Sequence, residues 1–132
     1  MKRWFLLGVV LTALLTAAPA QAKVVGISAS PNPATLGSSV RHTIEVGAYA
    51  RLDVWVSATG FQAPGSGTLP SGTWALECCP SQTGLTPAWH YRSSSPVAPG
   101  SYRFGAVARA RGTFLSTAAV TGIVATVRVT IR

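Results

Sequence analysis

Val40-Arg41-His42-Thr43-Ile44-Glu45-Val46 alternates strictly, with Val40, His42, Ile44 and Val46 on one face and Arg41, Thr43 and Glu45 on the other. A period of two marks a half-buried β-strand, because successive side chains leave a pleated backbone on opposite sides. The same rhythm returns downstream, where Leu52, Val54, Val56 and Ala58 oppose Asp53, Trp55 and Ser57. Trp74, Leu76 and Cys78 alternate with Ala75, Glu77 and Cys79 in a shorter stretch. Tyr102, Phe104, Ala106 and Ala108 oppose Arg103, Gly105, Val107 and Arg109. The last alternation sets Ile123, Ala125, Val127, Val129 and Ile131 against Val124, Thr126, Arg128, Thr130 and Arg132. Val24 to Ser28 and Trp89 to Arg92 read as two further short strands. Past residue 22 no stretch sustains a helical period.

Turn chemistry separates these strands. Pro31-Asn32-Pro33 stops the first, and residues 59–72 hold four glycines and two prolines, the composition of a long loop. Pro80 ends the fourth strand, residues 81–87 form a second loop, and Pro96 to Gly100 make a turn. Residues 113–120 are small and mildly apolar, and strand, loop and helical turn all remain open for them. About seven short antiparallel strands with regular turn signals predict an all-β chain folded as a single β-sandwich.

Two segments carry a resemblance. Ser30-Pro31-Asn32-Pro33-Ala34-Thr35-Leu36-Gly37-Ser38-Ser39-Val40 resembles the opening of bacterial immunoglobulin-like domains, where an extended segment feeds a long alternating strand. Ala98-Pro99-Gly100-Ser101-Tyr102-Arg103-Phe104 resembles a turn and strand F of the same group, which includes polycystic-kidney-disease-type and fibronectin-III-like modules. The resemblance implies an immunoglobulin-like sandwich, with Tyr102 as the tyrosine of a corner motif. It also implies that strands C, F and G, read here as 52–58, 102–109 and 123–131, share one sheet. The chain lacks the cysteine pair that joins the two sheets in many such domains, and Trp55 stands opposite Leu52, Val54 and Val56 in parity.

The start of the chain has a separate character. Met1-Lys2-Arg3 is basic, an apolar run extends from Trp4 to Ala18, and Ala20-Gln21-Ala22 offers a small-x-small cleavage site. This is the pattern of a secretory signal peptide over residues 1–22, which leaves residues 23–132 as one mature domain, secreted or periplasmic. No second apolar run of spanning length follows the signal, so no transmembrane segment is expected after cleavage.

The whole chain carries 11 basic and 3 acidic residues, a formal charge of +8. Losing Lys2 and Arg3 lowers this to about +6, and every remaining base but Lys23 is Arg. Guanidinium groups pair bidentately with carboxylate, sulfate or phosphate.

Strand parity assembles one candidate site from these arginines. On a shared sheet, Arg103, Arg109, Arg128 and Arg132 would face the same side as Trp55, giving anion contacts beside a stacking ring. An anionic envelope polymer or an acidic protein is the expected partner, with no specific nucleic acid because the chain is exported. Oligomeric state is not legible.

Cys78 and Cys79 form a second candidate, because adjacent cysteines in an oxidising setting invite a disulfide or redox role. Together with His90 they offer soft-metal ligands as a further alternative, but their spacing lacks the usual C-x-x-C reach, and no metal or other cofactor is assigned.

No catalytic set stands out. The only acids are Glu45, Asp53 and Glu77, and no Gly-x-Ser-x-Gly elbow occurs. His42 alternates in phase with core residues, which predicts a satisfied, half-buried imidazole. Trp74, Trp89, Tyr91 and Phe61 read as core filling, with a sugar-binding cleft as the alternative. The function expected is therefore a non-catalytic binding or structural module, with a redox- or metal-responsive protein using the cysteine pair as the alternative.

Overall fold

The alternating segments form strands in the structure, a computed structural model that describes residues 24–78 and 87–132. The expected signal segment, residues 1–22, and Cys79 lie outside the described residues. Eight strands follow in order: β1 (Val25–Ser30), β2 (Ser39–Val46), β3 (Leu52–Ser57), β4 (Gly72–Glu77), β5 (Ala88–Ser93), β6 (Gly100–Val107), β7 (Gly112–Val120) and β8 (Ile123–Ile131). They make a three-stranded sheet, β1-β2-β6, and a five-stranded sheet, β4-β5-β3-β7-β8. Every strand pair is antiparallel. The chain is thus an all-β sandwich.

The apolar faces of the two sheets meet in one core. Val40, Ile44 and Val46 of β2 and Leu52, Val54 and Val56 of β3 are buried there with Phe104, Tyr91 and Val129. Each fully buried large aliphatic side chain contributes about 1.5–3 kcal/mol relative to exposure. Phe61, Tyr91, Trp74 and Trp89 belong to this packing. The first two are buried and the tryptophans half-buried against the core, with the Trp89 indole donating to the Phe61 carbonyl at 3.0 Å. The Tyr102 hydroxyl donates to the Ala98 carbonyl at 2.6 Å and closes the turn ahead of β6.

Two expectations are corrected. There are eight strands rather than about seven, because residues 112–120 form β7. This strand lies between β3 and β8, and Ser116, Thr117 and Ala118 on it are buried. With both neighbours in place, it has no fully solvated face whose polar residues would announce it.

The second correction follows from the first. β7, not the strand carrying Arg103, sits beside β3, and β6 pairs with β2 in the other sheet. Arg103 is therefore on a different sheet from Trp55 and Arg128.

Two sheet edges are covered by the chain itself. The Gly/Pro-rich segment runs along β6, where Gln62, Gly65 and Thr68 donate backbone bonds to Val107, Gly105 and Arg103 at 2.9, 3.0 and 2.8 Å. Gly67 holds a φ of +53°, and a Cβ there would fall 2.1 Å from the Arg103 carbonyl oxygen, so only glycine allows this approach. Along β8, Asn32 donates its side-chain amide to the Arg128 carbonyl and accepts from the Thr130 amide. Ala34 and Leu36 extend that cover by donating to Thr130 and Arg132.

Candidate functional site

Arg41 and Arg103 lie on the outer face of the three-stranded sheet. In the β2–β6 register Arg41 stands opposite Gly105 and Arg103 opposite Thr43, so the two arginines are diagonal neighbours. Diagonal pairs sit roughly 7–8 Å apart, within reach of one ligand for side chains this long. Gly105 leaves open the space opposite Arg41, and a Cβ there would already lie 3.0 Å from the Ser39 hydroxyl.

The result is a groove of about 540 Å³ lined by Ser30, Pro31, Ser39, Arg41, Gly67, Thr68, Arg103, Phe104 and Gly105. One wall is the loop pinned to the edge of β6. Thr68 Oγ1 accepts from the Arg103 amide at 2.7 Å, which ties that wall to the strand bearing the guanidinium.

Both arginines are exposed, and among the described residues no carboxylate lies within ion-pairing distance of either. Glu45, on the same face, instead accepts from the Ser101 hydroxyl at 3.0 Å. Two unopposed guanidiniums with hydroxyls around them suit a carboxylate, sulfate or phosphate group.

The outer face of the five-stranded sheet is arranged differently. His90 of β5 places Nε2 2.9 Å from Asp53 of β3 and Nδ1 2.9 Å from Glu77 of β4. Each ring nitrogen thus faces one carboxylate oxygen. Arg92 adds its Nε at 3.6 Å from Asp53. Trp55 stacks on His90 with ring centroids 4.5 Å apart and is only 6% exposed. Its ring is occupied by His90 and is not offered to solvent, so the expected stacking face is corrected.

The remaining expected anion contacts do not converge. Arg128 is exposed on β8 in the five-stranded sheet, Arg132 follows that strand, and Arg109 follows β6. Of the four arginines singled out by parity, only Arg103 lines the groove. Its partner Arg41 was not among them, although its parity opposite Val40 and His42 already marks it as outward-facing. Ser30, Ser39 and Thr68 gave no signal, because Ser and Thr are common throughout the chain.

His42 is wholly buried rather than half-buried. Its ring stacks on Phe104 at 4.7 Å, meets Phe61 edge-on, and shares a hydrogen bond between Nε2 and the Ser116 hydroxyl at 2.9 Å. Burial lowers its pKa to about 4, against a partial opposing effect of the Val40 carbonyl, so the ring is neutral near pH 7. This His–Ser pair joins the two sheets across the core. Both residues are wholly shielded from solvent, so no substrate reaches the serine.

Cys78, just past β4, is disulfide-bonded. His90, the third candidate metal ligand beside the cysteines, has both ring nitrogens directed at carboxylates. Among the described residues no group of three or more His, Cys, Asp or Glu side chains could hold a metal ion.

No family model matches the chain, and no curated protein does. Among solved structures, it is similar to the Reelin-N domain of F-spondin at 11% identity, covering 83% of this chain and 87% of that one with a TM-score of 0.48. The human F-spondin reeler domain also matches at 11% identity, over 88% of this chain and 97% of that one, with a TM-score of 0.47. BslA, a bacterial hydrophobin, matches at 15% identity over 82% of this chain and 99% of that one, with a TM-score of 0.46.

Proposed function

We propose that this chain is an exported, immunoglobulin-like, non-catalytic binding module that takes an anionic group in the Arg41/Arg103 groove. The observation that carries this reading is the pair of exposed guanidiniums sharing one hydroxyl-lined groove with no acid in ion-pairing range among the described residues. Export rests on the signal pattern of residues 1–22, and the immunoglobulin-like reading on a two-sheet order in which β3, β7 and β8 lie side by side opposite β1, β2 and β6. Anionic envelope polymers or the acidic surface of a partner protein supply the matching chemistry.

The test is binding of the purified chain to a sulfated polysaccharide and to a uronate polymer across a salt series. Affinity that falls steeply with salt and is lost in the Arg41→Ser/Arg103→Ser variant supports the reading. Unchanged binding in that variant would sink it.

A further inference from the structure

The four sheet edges are treated unequally. Those of β6 and β8 are covered by backbone and Asn32 hydrogen bonds, whereas β1 and β4 have no backbone partner on their outer sides among the described residues. The two open edges differ in chemistry. β1 exposes Ser28 and Ser30 and is followed by Pro31, a polar edge stopped by a residue that cannot donate. β4 presents Gly72-Thr73-Trp74-Ala75-Leu76 without charge and carries a single charge, Glu77, at its last position, and Leu76 is 57% exposed. An open edge that is uncharged over five of its six residues is the arrangement that monomeric β proteins avoid, because its unpaired backbone groups template another strand.

We propose that β4 is the edge through which two copies of this chain pair, antiparallel, with Ala75 on the two-fold axis. The register follows from the side chains. A two-fold pairing must keep each face of the sheet continuous, so odd positions meet odd and even meet even. With Ala75 opposite its own copy, Trp74 lies opposite Leu76 of the second copy, which covers the exposed leucine with an indole.

The same register sets Glu77 opposite the second copy's Thr73, and Thr73 in turn neighbours Arg92 within its own sheet. Glu77 holds His90 through Oε2, which leaves Oε1 to turn towards the second copy's Arg92, two strand spacings away and about 10 Å between backbones, a gap that two long side chains span. Each copy supplies one acid and one base to this seam, so an otherwise cationic chain meets its twin without like-charge conflict. The two five-stranded sheets become one continuous sheet. The Arg41/Arg103 groove lies on the other sheet and stays open, so this pairing does not depend on what the groove binds.

Sedimentation velocity of the purified chain without reductant, over rising concentration, reads the pairing directly. A monomer-to-dimer shift is expected, and Ala75→Lys, which sets two ammonium groups on the axis, should hold the chain monomeric over the same range. Ala75→Cys should form a covalent dimer through position 75 under mild oxidation, whereas Thr73→Cys should not, because it faces position 77. A chain that stays monomeric at all concentrations overturns the proposal. So does a dimer that Ala75→Lys leaves intact. Should Ala75→Lys fail to fold, the comparison of the two cysteine variants decides.

Discussion

The outer faces of the two sheets handle charge in opposite ways. On the five-stranded sheet Asp53 and Glu77 flank His90, and Arg92 approaches Asp53 at 3.6 Å, so its acids are taken up locally. On the three-stranded sheet Arg41 and Arg103 share a groove without such neighbours, and the one acid on that face binds a serine hydroxyl. Charged residues of the same types therefore form a closed network on one face and an open site on the other. Strand pairing decides which, since it determines who sits across from whom.

The largest effect should come from the core that both faces share. Phe104 follows Arg103 in β6 but points inward, under His42 and against Trp74. Phe104→Ala should cost about 3–5 kcal/mol, read by chemical denaturation, and weaken both faces together. If one face kept its full stability while the other unfolded, the two sheets would not share a cooperative core.

Acid should act through the buried histidine. The His42 pKa falls from 6.5 to about 4 on folding, so between those values the unfolded chain binds the extra proton. This contribution to stability is fully present above about pH 6.5 and is lost as pH falls towards 4, by up to about 3 kcal/mol. Denaturation curves at pH 7 and pH 4.5 should show the loss, and His42→Phe should reduce it. A loss of the same size in that variant would show that His42 does not carry the acid sensitivity.

Gly67→Ala separates the faces more sharply. The added methyl meets the Arg103 carbonyl and a backbone at positive φ, a strain of about 1–3 kcal/mol. Because Gly67 and Thr68 wall the groove, anion binding should weaken while the Trp55–His90 stack, read as the fluorescence lost on Trp55→Phe in the same background, stays unchanged. Altered fluorescence with intact binding would contradict that division. His90→Ala is the converse change. It leaves Asp53 and Glu77 without the ring between them and should cost about 1–2 kcal/mol in thermal or chemical melts, with groove binding untouched.

Much of the fold was legible because β2, β3, β6 and β8 alternate cleanly. β7 was not, since Ser116-Thr117-Ala118 is buried between two neighbouring strands and shows no solvated polar face. That one uncertain strand misplaced the site, because without β7 the strand bearing Arg103 takes its position beside β3. Parity predicts an outward Arg103, and the side chain is exposed. Its juxtaposition with Arg41 depends on pairing between strands far apart in sequence, which no local pattern encodes. Parity sets Trp55 outward, but the His90 ring that covers it comes from β5, which local alternation on β3 does not show.

The sharpest measurement compares two variants that remove equal charge from opposite faces, Arg41→Ser/Arg103→Ser and Arg92→Ser/Arg128→Ser. Their affinities for the same sulfated polymer should be measured at one ionic strength. If the groove is the site, the first variant loses binding and the second stays close to the parent chain. Equal losses in the two would show that net charge, not the Arg41/Arg103 groove, holds the anion.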